Sequence, residues 1–374
     1  MGNTLDQKEE KLAHPTSLHK NDFTFHYVIG KGGFGRVWKV EMKKTHQILA
    51  MKEMLKIRVV SKRSVYSVMN ERRLLSILKH PFIVNMQYAF QDKDNLYLGM
   101  DLMIGGDLRF HLGRVRRFTE EETRFFVACI VTGLEYLHVN GVIHRDIKPE
   151  NLVFDNKGYL RITDFGIAKV LTPENFRDTS GTPGYMAPEV MCRENHGIAV
   201  DYFALGVLTY EFMIGRRPYS GRNRKEIKDS MMSRQVQLKK SDVPTGWSME
   251  AADFINKLLQ RKPENRLGNN GPSEVKNHLW LRDFQWKKLL EKSLDAPYVC
   301  LSEDNYDPRV NNDWKDDIDP AIRQNSIEEL FEGYFFDARS PQRKVSDEKI
   351  QLQRGEESTV QIRYQDNVRR RDDI

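Results

Sequence analysis

From Phe23 the chain alternates apolar and polar residues, runs into a glycine cluster at Gly30-Lys31-Gly32-Gly33-Phe34-Gly35, and alternates again over Arg36–Val40. That pattern predicts strand, turn, strand. Ile48–Glu53 predicts a third strand, which carries Lys52. Val68–Lys79 switches to helical spacing, with Met69, Leu74, Leu75 and Leu78 apolar and Glu71 among them, and His80-Pro81 ends it. Phe82–Phe90 and Asn95–Met100 are apolar runs around the polar turn Gln91–Asp94, which predicts another hairpin. From Gly105 strand-like alternation gives way to helical spacing, so a smaller sheet unit ends near there and a larger helical unit begins. Thr119 with Glu122 has the spacing of a capping box, and a helix is predicted over Glu120–His138. Leu152–Phe154 and Leu160–Ile162 predict short strands flanking Asn156-Lys157-Gly158. The fold class expected is α+β.

Composition narrows the setting. A chain of 374 residues suggests two or three domain-sized units. With 39% hydrophobic and 30% charged residues it has the balance of an ordinary soluble protein. It holds no apolar run of the roughly 18 residues that a membrane-spanning helix needs, and Met1-Gly2-Asn3-Thr4-Leu5-Asp6-Gln7-Lys8 is too polar for a secretory signal. Cys129, Cys192 and Cys300 lie far apart without ligand spacing, and read as buried thiols in a reducing, cytoplasmic compartment. The net charge of +6 comes from 59 basic against 53 acidic residues. That near balance argues against a nucleic-acid partner, and no recognition module is visible. Gly2 invites N-myristoylation with Lys8 nearby, although Asp6 stands where the motif wants Ser or Thr. A single acyl chain would give reversible membrane association.

The chemistry concentrates in His144-Arg145-Asp146-Ile147-Lys148-Pro149-Glu150-Asn151, followed by Asp164-Phe165-Gly166. Asp146 can orient a hydroxyl and accept its proton, Lys148 can offset phosphate charge, and Asn151 and Asp164 offer hard oxygen ligands for Mg²⁺. Phosphoryl transfer depends on positioning and charge neutralisation, and these residue types provide both. The glycine cluster alone is ambiguous between a dinucleotide fingerprint and a flexible hairpin. A dinucleotide site wants a helix directly after the glycines, whereas Arg36–Val40 reads as a strand, which favours a lid over phosphates.

The string HRDIKPEN followed by DFG resembles the eukaryotic protein-kinase signature set. The resemblance implies the bilobal kinase fold, with a small lobe over 23–102 and a large lobe over 103–284. It implies ATP bound between the lobes by Gly30, Lys31, Gly32, Gly33, Phe34, Gly35, Val37, Ala50, Lys52, Met100, Asp101, Met103 and Asp107. Lys52 would contact the α/β-phosphates and pair with Glu71, Asp101–Met103 would form the hinge, and Met100 would lie behind the adenine. Leu75, Met86, His144 and Phe165 would form a stacked apolar column. Gly181-Thr182-Pro183 and Lys148 point to Ser/Thr rather than Tyr specificity, with Thr182 beside the substrate. Over residues 23–284 the chain is most similar to AGC-group Ser/Thr kinases, the cyclic-nucleotide-dependent and YANK-type members in particular.

Further expectations come from that similarity. Asp107, Glu150 and Glu211 match acidic positions that AGC kinases use to bind basic residues upstream of the target hydroxyl. Asp178 stands where a phosphothreonine is usual, so partial ordering of the activation segment without a priming kinase is expected, unless Thr179 takes the phosphate. Residues 285–340 resemble the AGC C-terminal extension, with Phe331-Glu332-Gly333-Tyr334-Phe335-Phe336 as its hydrophobic motif and Phe335 at the usual phosphorylatable position. Asn311–Trp314 loosely matches the extension's adenine-contacting segment. Asp201 would hold the catalytic-loop backbone, and Glu189 would pair with Arg266. Residues 1–22 and 341–374 read as flexible or disordered. The alternative to an active, monomeric enzyme is a pseudokinase scaffold that binds partners without transfer, and the intact set of chemical positions argues against it.

Overall fold

Three antiparallel strands lead the fold: β1 (Phe23–Lys31), β2 (Gly35–Met42) and β3 (Ile48–Leu55). The computed structural model describes residues 18–171, 179–298, 300 and 327–340. Gly2, Asp178 and Asn311–Trp314 therefore lie outside the described residues. Two short helices follow β3, α1 (Lys56–Ser61) and α2 (Val65–Ile77), and then the hairpin β4 (Met86–Gln91) and β5 (Asn95–Asp101). The predicted helix begins three residues earlier than expected, and α1 was not anticipated. The strand expected from Phe82 begins only at Met86. Phe82–Asn85 instead crosses to the large lobe, where Ile83 bridges Ile162 and Val84 N–H donates to the Ile162 carbonyl at 2.8 Å. Its apolar side chains are buried by that crossing and not by the sheet.

The small-lobe sheet has the order β1-β2-β3-β5-β4-β10, the sixth strand being β10 (Phe336–Asp337), which is added antiparallel to β4. Gly35 has a structural reason beyond flexibility. A Cβ there would lie 1.7 Å from the Glu53 carbonyl oxygen, so no side chain fits without parting β2 from β3.

The large lobe packs α3 (Leu108–Val115), α4 (Glu120–Val139), α5 (Pro188–Cys192), α6 (Ala199–Ile214), α7 (Arg224–Ser233), α8 (Met249–Leu258), α9 (Pro272–Lys276) and α10 (Trp286–Leu290). The Thr119–Glu122 capping box forms as expected. Helix α6 is apolar on nearly all sides and is buried accordingly. Two small ladders, β6 (Val142–Ile143) with β9 (Lys169–Val170) and β7 (Leu152–Phe154) with β8 (Leu160–Ile162), flank the catalytic loop. Among the described residues no helix is long and apolar enough to cross a membrane.

Two of the three cysteines differ from the expectation of buried thiols. Cys129 is buried, and burial pushes its thiol up to about 12, whereas Cys192 and Cys300 are half-buried. Cys192 closes the short helix α5, and Cys300 lies at a loop edge with Sγ 3.5 Å from His111 Nε2.

Candidate active site

Lys52 leaves the middle of β3, between Val37 on β2 and Leu98 on β5, and meets Glu71 on α2. Its Nζ donates to both Glu71 carboxylate oxygens, at 2.8 and 3.0 Å. Burial pushes the Glu71 carboxyl up and also works against the Lys52 charge. The carboxylates of Glu71 and Asp164 outweigh that burial and hold Lys52 above the ordinary lysine range. On the Asp164 carboxyl, withdrawal from water acts upward, but Lys52, the Gly166 amide, His144 and Lys148 together keep it below the usual carboxylate range.

The catalytic loop is pinned from below. Asp201, fully buried at the start of α6, accepts from the amides of His144 (2.9 Å) and Arg145 (2.8 Å), and His138 Nε2 lies 2.8 Å from it. Burial raises its pKa, and these contacts more than reverse that, so it sits low. Arg145 and Asp164 both adopt left-handed backbone, with φ of 67° and 64°. Such strain persists only where surrounding contacts fix it.

Four groups converge on Asp146. Lys148 Nζ donates to Oδ2 at 2.6 Å, Asn151 Nδ2 to the same oxygen at 3.1 Å, and the Thr182 amide and hydroxyl to Oδ1 at 3.0 and 2.7 Å. Lys148 also reaches Thr182 Oγ1 at 2.9 Å. Asn151 gives a second bond from Nδ2 to the Asp146 carbonyl at 2.9 Å, and this network leaves the amide oxygen as its acceptor end. An amide oxygen and an ionised carboxylate at Asp164 form a hard oxygen set. It suits Mg²⁺, which takes one or two protein ligands and completes its shell with phosphates and water. The site residues thus fit a divalent cation.

The remaining expected residues fall around the cleft. Gly32 N–H donates to the Gly35 carbonyl at 2.9 Å, closing the turn between Gly30-Lys31 on β1 and β2, with Phe34 at its tip. Ala50 pairs with Met100 across β3 and β5, and both are buried. Asp101 ends β5, and its carboxylate is engaged by Arg161 (2.9 Å), Asn85 (3.0 Å) and Gln87 (2.8 Å), so only its main chain can serve a hinge. Met103 is half-buried beyond it. Leu75, Met86, His144 and Phe165 are all buried, and the last two rings meet edge-on at 5.3 Å. Glu189 and Arg266 form a buried bidentate pair at 2.6 and 2.9 Å.

Several contacts have no signal in the motifs. Lys62, just after α1, donates to the Gly33 carbonyl at 2.7 Å and lies over the Phe34 ring, tying the lid tip to the small lobe. Asn70 ties α2 to the Ala168 carbonyl at 2.8 Å. Arg109 joins Glu150 and Glu211.

Residues 327–340 pack on the small lobe. Phe331 and Tyr334 are buried, Gln91 Nε2 donates to the Phe331 carbonyl at 2.9 Å, and Arg72 on α2 donates to the Phe335 carbonyl while the Phe335 ring stays 38% exposed.

Fold and site together define the two-lobed kinase class. A family model described as protein kinase domain matches residues 23–281. Protein kinase 2 of Dictyostelium discoideum is 37% identical over 310 residues, covering 82% of this chain and 62% of that one. RAC-beta serine/threonine-protein kinase A of Xenopus laevis is 38% identical over 304 residues (80% and 61%), and the cAMP-dependent protein kinase catalytic subunit of D. discoideum 37% over 274 residues (73% and 41%). The chain belongs to the protein kinase family, and these relatives support the AGC group within it. It spans less than two thirds of the length of the curated relatives it matches.

Proposed function

We propose that the protein is an ATP-dependent Ser/Thr protein kinase acting in the presence of Mg²⁺. The observation that carries the reading is the convergence of Lys148, Asn151 and Thr182 on the Asp146 carboxylate, with the Lys52–Glu71 pair already closed. In this reading Asp146 orients a Ser or Thr hydroxyl and accepts its proton as the γ-phosphoryl group leaves ADP for the hydroxyl oxygen. Lys52 holds the α/β-phosphates, and Lys148 offsets charge on the group in transit. Asn151 and Asp164 would hold the cation, whose chemistry when bound is to neutralise phosphate oxygens. The backbone of Gly30–Gly35 lies over the phosphates, and Val37, Ala50 and Met100 wall the adenine, with main-chain groups of Asp101–Met103 as its hydrogen-bond partners.

The substrates are protein hydroxyls. A preference for basic residues is the expectation from Asp107, Glu150 and Glu211, of which the two glutamates already share an internal cation. A kinase domain over 23–284 followed by an AGC-type tail over 285–340, with YANK-type kinship, accompanies the proposal. So do a monomeric state, cytoplasmic residence and reversible membrane association through Gly2, which rest on sequence alone. Phosphoamino-acid analysis after incubation with γ-labelled ATP and a mixed peptide pool tests the central reading. Label on phosphoserine and phosphothreonine is expected, and label confined to phosphotyrosine, or none, would contradict it.

A further inference from the structure

The three acidic side chains that should meet basic residues upstream of a target hydroxyl are each engaged inside the chain. Asp107 caps α3, its Oδ1 accepting from the Phe110 amide at 2.9 Å. Arg109, two residues on, donates from Nε to Glu150 Oε1 at 2.8 Å and from Nη1 to Glu211 Oε1 at 3.0 Å. Its Nη2 donates to the Tyr185 hydroxyl, which in turn donates to Glu211 Oε2 at 2.5 Å. Both oxygens of Glu211 are therefore satisfied, and its side chain is only 9% exposed.

The electrostatics follow the geometry. Burial opposes the charge on Arg109, but its contacts with Tyr185, Glu211 and Glu150 prevail and hold the guanidinium above its ordinary range. Two bare carboxylates would present a charge of −2 to an approaching peptide. With Arg109 between them the cluster presents about −1, and its buried member is closed to a bidentate partner. An incoming guanidinium could reach Glu211 only by displacing Arg109 and leaving that cation beside itself, which is a repulsive element against basic peptides.

We propose that Arg109 is a specificity-determining residue: it fills the recess of Glu150 and Glu211 as an internal stand-in for a substrate arginine, so the enzyme transfers phosphate without requiring a basic residue at the upstream position that meets those two carboxylates. The proposal deepens the kinase reading above and rests on it.

A positional-scanning peptide library with labelled ATP tests it. Wild-type enzyme is expected to favour Arg or Lys over Ala by less than about threefold at the upstream position that meets Glu150 and Glu211. Arg109→Met exposes the carboxylates and is expected to raise that preference to about tenfold at that position, since charge-assisted bonds to a substrate then replace those to Arg109. Adding Glu150→Gln to Arg109→Met, which leaves Glu211 as the one carboxylate of the pair, is expected to reduce the gain. If Arg109→Met does not fold, Glu150→Gln in the wild-type background decides, because Glu150 is 46% exposed and tolerates the change. A change in upstream Arg selectivity below about twofold supports the proposal, and loss of a strong preference overturns it. A wild-type preference of tenfold or more for Arg at the position that Glu150→Gln weakens, or a folded Arg109→Met with an unchanged profile, also overturns it while leaving the kinase reading intact. Wild-type enzyme that labels no peptide overturns both.

Discussion

Lys52 and Glu71 meet through two hydrogen bonds, at 2.8 and 3.0 Å, so strand β3 and helix α2 are locked together in the arrangement that kinases need for transfer. Both side chains are largely withdrawn from water, at 19% and 5% exposure. Replacing the Glu71 carboxylate leaves the buried Lys52 with Asp164 as its remaining counter-charge and unlocks β3 from α2, at a cost of about 3 kcal/mol. Since about 1.4 kcal/mol is tenfold in rate, Glu71→Gln is expected to lower kcat/KM for a peptide substrate by roughly 100-fold. Steady-state kinetics on a variant with unchanged far-UV dichroism checks this, and a loss under threefold would detach the pair from catalysis.

His80 should give the stability a pH dependence. Its ring stacks on Tyr136 at 4.6 Å, its Nδ1 accepts from the Phe82 amide at 3.2 Å, and burial lowers its pKa from 6.5 to about 4. A protonated Nδ1 could not accept that bond. The unfolded chain therefore takes up a proton before the folded one does, and ∂ΔG/∂pH is positive between those two values. The stabilisation is complete above about pH 6.5 and is lost as pH falls towards about 4. Urea unfolding across that window is expected to show wild type losing stability faster than His80→Gln as the pH drops, and parallel curves would contradict the assignment.

Residues 327–340 contribute to the small lobe through apolar burial and strand pairing. Phe331 is fully buried, so Phe331→Ala is expected to weaken docking by about 3 kcal/mol, lowering Tm and with it turnover. Phe335 has an exposed ring and uses its main-chain carbonyl to hold Arg72. Phe335→Ser should therefore change stability by no more than about 0.5 kcal/mol. Differential scanning calorimetry of the two variants separates these roles.

The chemistry was legible because it is carried by short strings whose spacing fixes their geometry: His144–Asn151, Asp164–Gly166 and Gly30–Gly35 land around one cleft. Pairing across long separations was legible only where the family resemblance named both partners, as for Lys52 with Glu71 and Glu189 with Arg266. Lys62 and Arg109 carry no comparable signal. A surface lysine after a short helix and an arginine two residues beyond a cap read as solvated charges until the fold brings a carbonyl or two carboxylates to them. The strand predicted from Phe82 starts four residues late for a related reason: apolar content reports burial, and Phe82–Asn85 is buried by a lobe crossing.

The central claim is that Asp146 acts on the hydroxyl while the rest of the cleft holds the nucleotide. Asp146→Asn keeps the size of the side chain and the bonds accepted by one of its two oxygens, but cannot accept the proton. Measuring γ-phosphate transfer to peptide alongside ATP affinity in wild type and Asp146→Asn tests this directly. The account predicts ATP affinity within about threefold and transfer lowered by at least about 100-fold, in the range expected of a lost general base. Equal transfer rates in the two proteins would contradict it.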